Sequence, residues 1–321
     1  TTTFGRSLLT QADAAAARIT LGISAVSTPI DSTAGASIAI GSSALAGQTS
    51  SAAYGNTAVG YQALSGIMTS AAVNNTALGY QALKSITSGS TNAAFGYQAL
   101  SLTTSGGANS AFGHQALQNN TSDGNAAFGF RAMWQTTSGG NNTALGAYAL
   151  YNNQTGGANV AVGTQALLNS TSGNSTAVGN EAAAIQSSGA ANTAIGNFAL
   201  RDNTTGSNNA IVGMQAFRYG IGSRNAVLGK DAGLGVNATT TATDSVFLGY
   251  QAGLGITTGN DNIFIGSGAG STTTTGSGNI VIGKGLTTAS ATTSNSINVG
   301  GMLGGVMSAS AGVLELSSGG S

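Results

Sequence analysis

The chain has 321 residues, 51 of them glycine, with one proline and no cysteine; 9 Lys and Arg balance 9 Asp and Glu, only 6% of residues are charged, and 41% are hydrophobic. Neutrality leaves no clustered cations for a nucleic-acid partner, the lack of cysteine removes disulfides and thiolate metal sites, and regularly recurring apolar residues argue against disorder. No window offers the roughly 18 consecutive apolar residues of a membrane helix, so no membrane insertion is expected.

Residues 1–35 form a first segment. It opens "TTTFGRSLLT", with neither an initiator Met nor a basic, apolar leader, and reads as part of something longer. "FGRSLLTQADAAAARITLGI" at 4–23 predicts one short helix. Thr10 is placed to cap it with Asp13 three residues on, Ala14 to Ala17 favour helix, and Gly22 stops it.

Residues 36–300 are an array. Sixteen copies of one pattern are marked by Gly41, Gly60, Gly79, Gly96, Gly113, Gly129, Gly146, Gly163, Gly179, Gly196, Gly213, Gly229, Gly249, Gly266, Gly283 and Gly300. Steps run from 16 residues (Gly213 to Gly229) to 20 (Gly229 to Gly249), and 17 is the commonest. The consensus is Asn, small, Ala, apolar, Gly, x, Gln, Ala, Leu, followed by a Thr/Ser/Gly/Asn turn. Each unit is too short for a helical hairpin. A β-like run, a glycine bend, a second short run and a turn make one coil of a parallel β-solenoid, so the expected fold is all-β with about sixteen coils stacked at strand spacing. The 20-residue step suggests an inserted loop.

Stacking turns each position into a ladder. Asn four before the glycine recurs at Asn56, Asn75, Asn92, Asn109, Asn125, Asn142, Asn159, Asn192, Asn209, Asn225, Asn262 and Asn279, and is expected to hydrogen-bond along the stack. The residue before the glycine is apolar in every copy, from Ile40 and Val59 to Ile282 and Val299, and is expected to fill the coil. Side chains alternate along a strand, so the row one position earlier should then face outward. That row is Ala58, Ala77, Ala94, Ala111, Ala127, Ala144, Ala161, Ala177 and Ala194, then Ile211, Val227, Phe247, Phe264 and Val281. A continuous apolar stripe in water calls for a partner, and a second copy of the chain is the natural one. These residues are therefore the expected interface between chains. Their change from Ala to larger residues after about 205 suggests a change in cross-section or in the spacing of chains.

Catalytic chemistry is thin. His114 is the only histidine and takes the place of Tyr61, Tyr80, Tyr97 and Phe130 in neighbouring copies. The acids are scattered; neither Asp202 with Asp231 nor Glu181 with Asp202 gives a carboxylate pair of the kind glycan hydrolysis needs. Calcium-binding solenoids require an Asp in every copy, absent here. "GNIVIGKG" at 278–285 imitates a phosphate loop but ends in Gly285 where Ser or Thr should hold magnesium. Strand threonines are too irregular for an ice-binding row. No cofactor or metal is expected. Surface recognition remains, with the aromatic row either stacking internally or meeting a ligand. Trp134 and the adjacent Arg131, with Tyr151, are the receptor-binding candidates, and the end of the chain after about 296 is an equal one.

"ASIAIGSSALAG" at 36–47 resembles the head repeats of trimeric autotransporter adhesins, and the "NTALGYQAL" variant at 75–83 is similar to repeats of bacteriophage tail fibres and large bacterial surface proteins. Residues 4–23 resemble a short tail-fibre module, and residues 301–321, with the stretch just before them, resemble the segment that precedes a self-cleaving chaperone domain in such fibres. The resemblance implies a parallel homotrimer in the virion, joined to other tail proteins, that reaches and binds a bacterial surface glycan or outer-membrane receptor. A bacterial trimeric surface adhesin is the alternative, and a polysaccharide-degrading tail spike a lesser one.

Overall fold

In a computed structural model, residues 37–48, 53–236, 240–300 and the backbone of 303–306 are described. The expected N-terminal helix lies outside them. The chain divides into two compact units, 1–140 and 141–321. The described residues of each form an all-β parallel β-solenoid, about 15 coils in total.

The first unit holds β1 (Ile38–Ile40), β2 (Thr57–Val59), β3 (Thr76–Leu78), β4 (Ala93–Phe95), β5 (Ser110–Phe112) and β6 (Ala126–Phe128). Successive strands from β1 to β6 pair in parallel, in a register that sets Ala58, Ala77, Ala94, Ala111 and Ala127 in one line. The second unit holds β7 (Thr143–Leu145), β8 (Val160–Val162), β9 (Thr176–Val178), β10 (Thr193–Ile195), β11 (Ala210–Val212), β12 (Ala226–Leu228), β13 (Val246–Leu248), β14 (Ile263–Ile265), β15 (Ile280–Ile282), β16 (Ser296–Val299) and β17 (Leu303–Val306). Pairing there is parallel as far as β16, and β17 then folds back antiparallel against it. The stack absorbs the 20-residue step and is back in register at Thr240, which bridges Gly220.

Apart from β17, only the run before each glycine is a strand. The expected second run is a stacked turn with two residues per coil in the left-handed region, such as Gln81 (φ 56) and Leu83 (φ 49). Its amides still bond from coil to coil: Gln81 N–H donates to Tyr61 O at 2.8 Å and Leu83 N–H to Ala99 O at 3.0 Å. The marker glycine is required twice over. Gly96 has φ 137, and a Cβ there would lie 2.5 Å from Gly113 O in the next coil.

The interior is the reverse of the one expected. Ala58, Ala77, Ala94, Ala111 and Ala127 in the first unit, and Ala144, Ala161, Ala177, Ala194, Ile211, Val227, Phe247, Phe264 and Val281 in the second, are buried inside their own coils. They face the Ala and Leu that follow the glycine, such as Ala82 and Leu83, which are also fully buried. They are therefore core residues and offer nothing to a neighbouring chain. The apolar row before the glycine points out instead: Leu78, Phe128, Leu145, Ile195 and Leu228 are exposed. Alternation along the strand holds; its sign is set by volume. The Leu after the glycine already fills the narrow coil, leaving room opposite it for Ala and not for a second large row.

In the two coils where the strand residue becomes Phe the same rule holds. Where the strand position becomes Phe247 or Phe264, the Leu after the glycine becomes Gly253 or Gly270. A Cβ on Gly270 would come within 2.5 Å of the Phe264 ring, and one on Gly253 within 2.9 Å of Phe247. Large and small exchange sides, and the cross-section stays filled.

The Asn ladder forms as expected. Asn92 Nδ2 donates to Asn75 Oδ1 at 3.0 Å and to Gly106 O at 2.8 Å, while Asn109 donates both N–H and Nδ2 to Asn92 Oδ1 at 3.0 and 3.1 Å. Ser175 interrupts the ladder in the second unit, and the buried Gln186 replaces the missing amide. Its Nε2 donates to Ser175 Oγ at 2.9 Å and its Oε1 accepts from Asn192 Nδ2 at 3.1 Å.

Candidate functional site

The glycine bend places two outward rows side by side in the first unit. Before it, Phe95, Phe112 and Phe128 stack at 4.6 and 4.7 Å between ring centres. After it, Tyr61, Tyr80, Tyr97, His114 and Phe130 stack at 5.3, 5.1, 4.8 and 5.1 Å. His114 is thus a rung of the aromatic ladder, as its position in the repeat suggests. Inside this ladder the ring faces are spent on one another. A ligand meets ring edges and hydroxyls, and no open face is offered for a sugar to stack on.

Beside the aromatic row runs a one-way chain of side-chain amides. Gln81 Nε2 donates to Gln62 Oε1 at 2.8 Å, Gln98 Nε2 to Gln81 Oε1 at 2.9 Å, and Gln115 Nε2 to Gln98 Oε1 at 3.1 Å. Arg131 stands where the next Gln would be and continues the chain, its Nε donating to Gln115 Oε1 at 2.8 Å. Its guanidinium lies 5.2 Å from the Phe130 ring centre and 5.5 Å from that of Trp134.

Trp134, a receptor-binding candidate from the sequence, is half-buried. Its indole N–H donates to Gln118 Oε1 at 2.6 Å, and Gln118 Nε2 donates to Gln98 Oε1 and Ser101 Oγ, both at 3.2 Å. The structure therefore brings two of the candidates, Arg131 and Trp134, into one hydrogen-bonded cluster. In the second unit Tyr151 is also half-buried and packs edge-on to Tyr148 at 5.4 Å.

Charge gathers in the second unit. Arg201 bonds Glu181 Oε2 through Nε and Asp202 Oδ1 through Nη1, both at 2.6 Å. The hydrogen bond that Arg201 donates to Glu181 holds its pKa above the ordinary value. Glu181 and Asp202 are thus brought together, against the expectation from their spacing, but through a shared cation. Arg224 grips Asp244 with two bonds of 2.6 and 2.7 Å and holds that carboxyl below the usual carboxylate range. A shallow groove of about 370 Å³ in the first unit is lined by Ser88, Ser90, Thr91, Ser105 and Asp123, and Asp123 Oδ1 there already accepts Gly107 N–H at 2.7 Å. Among the described residues no group of three or more His, Cys, Asp or Glu is placed to hold a metal ion. No family model, curated protein or solved structure gives a match to the chain.

The amide chain and the ring-packed arginine were missed in the sequence. The signal was there: Gln62, Gln81, Gln98 and Gln115 share a repeat position whose next member is Arg131.

Proposed function

We propose that the chain is a structural and adhesive segment of a bacteriophage tail fibre, a parallel homotrimer in the virion, attached to other tail proteins. It reaches and binds a bacterial surface glycan or outer-membrane receptor without catalysis. The observation that carries this reading is the outward apolar row. Within each unit one apolar side chain per coil faces away from the core, a row of the kind that a partner covers. Burying one half-exposed Leu or Phe contributes about 1 kcal/mol, and the contribution repeats with every coil. A second copy in parallel register presents the same stripe at the same spacing, which favours self-association over an unrelated partner. The choice of three chains and of a virion rests on the resemblance of residues 4–23 and of the repeats to tail fibres. The resemblance of the first copy, at 36–47, favours a bacterial surface adhesin as the second reading.

Light scattering is expected to give about three times the 31.0 kDa chain mass, unchanged on dilution. Labelled protein is expected to bind bacterial cells of a susceptible host saturably. A folded monomer would remove the assembly, and absence of binding across a panel of bacteria would remove the adhesive role.

A further inference from the structure

We infer that Arg131, packed against the Phe130 and Trp134 rings, is a binding site for an anionic group, a carboxylate or phosphate, carried on a glycan. This rests on the adhesive reading above and gives it a chemistry.

The first observation is the lack of a counter-ion. Among the described residues every arginine of the second unit has a carboxylate within 4.0 Å, whereas Arg131 has none. The second is what Arg adds at this place in the repeat. The four preceding coils carry Gln62, Gln81, Gln98 and Gln115 there, and a fifth Gln would close the amide chain equally well. Arg131 spends only Nε on Gln115, which leaves its terminal nitrogens for something else. A guanidinium offers those donors in a flat fork suited to two oxygens of one anion.

The third observation is preorganisation. One aromatic ring from each of Phe130 and Trp134 lies against the guanidinium. The Trp134 indole is itself fixed through Gln118, which is buried and tied to Gln98 and Ser101. All the ladder amides point the same way, and Arg131 is the last donor in the series, so its plane is held by a cooperative chain before any ligand arrives. An immobilised arginine loses little freedom on binding. Phe130, 40% exposed, supplies an apolar edge beside the charge, as a sugar ring bearing an acid requires.

Trp134 is the only tryptophan, so its emission reports this site alone. The intact protein is titrated with oligogalacturonate, with its methyl ester and with glucose 1-phosphate. The acidic sugar, the phosphorylated one or both should shift the emission saturably; the methyl ester should not. Arg131→Gln restores the residue of the preceding coils, so it should fold normally and bind at least tenfold more weakly. Arg131→Lys should fall between the two, and Lys84→Gln should bind as the unaltered chain does. No saturable shift with either anion overturns the site, as does equal binding by Arg131→Gln or by the methyl ester. If Arg131→Gln and the unaltered protein adhere equally to bacteria, the site falls and adhesion stands. If the anion titration is saturable but no bacterium is bound, the site stands and the adhesive reading falls.

Discussion

Replacing Phe264 by alanine is expected to cost about 3–5 kcal/mol, the usual range for emptying a buried phenylalanine site. Adding Gly270→Leu is expected to return much of that loss. Phe264 is fully buried, and Gly270 is the small residue that admits its ring. Alone, Gly270→Leu should destabilise for two reasons. Its Cβ would lie within 2.5 Å of the ring, and φ is +60 there. Together the two changes recreate the Ala and Leu pair found in earlier coils, such as Ala77 with Leu83, where Leu occupies the same left-handed backbone. What remains unrecovered is the left-handed Leu, about 1–2 kcal/mol, and the contact between the Phe264 and Phe247 rings, 5.5 Å apart. Denaturant midpoints for the two single variants and the double one give the coupling. About 2 kcal/mol or more of recovery is expected; simple addition of the two losses would show that the two positions do not share one space.

Asn92→Ala is expected to be nearly as damaging in the first unit. Asn92 is buried, and its side chain serves four hydrogen bonds to Asn75, Gly106 and Asn109. The substitution leaves the Asn109 backbone N–H without its acceptor and Gly106 O without its donor. Each buried group so orphaned costs about 1–3 kcal/mol. Asn92→Asp separates the ladder from mere packing, since it keeps the shape and one acceptor. The introduced carboxylate would face Asn75 Oδ1 and Gly106 O, both acceptors. Its pKa should therefore be raised in the folded chain, and the folded state binds a proton that the unfolded state has already lost. Stability then falls as pH rises above the ordinary carboxylate range near 4 and levels off once pH passes the raised folded value. Melting temperatures between pH 4 and 8 should show that decline for Asn92→Asp beyond any drift of the unaltered protein. A flat difference would mean the amide is not held as described.

Much of the fold was legible because the chain writes the same coil repeatedly. The period gave the solenoid, the Asn row its ladder, and each marker glycine its bend. What was not legible was the sign of the strand. Ala77 and Leu78 alternate, and nothing in those two letters says which is inside. The answer lies in Leu83, six residues on, whose left-handed backbone carries it into the interior and leaves room opposite for Ala77 alone. The same coupling explains Phe264 with Gly270, where the gain in size read in sequence as a change in cross-section or in the spacing of chains.

The site was legible only in part. Arg131 and Trp134 stand near each other in sequence, but their cluster depends on Gln115 and Gln118 from the coil before, and on Gln98 one coil further back. Those contacts come from stacking, and the repeat position shared by the Gln residues was the only hint of them. The charged pair Glu181 and Asp202 was missed for a related reason. Arg201 lies in the same coil as Asp202 and reaches Glu181 in the coil before.

The corrected sign moves the proposed interface from the Ala row to the row beside it, and one measurement separates the two. Leu145 and Leu228, 52% and 53% exposed, belong to the outward row of the second unit. The double substitution Leu145→Lys/Leu228→Lys puts charge on that face without touching the core. Light scattering on this variant, alongside its circular dichroism, is predicted to show the mass falling toward 31.0 kDa while the β signal is kept. A mass unchanged from that of the unaltered protein would contradict the account, because the outward row would then not be where the chains meet.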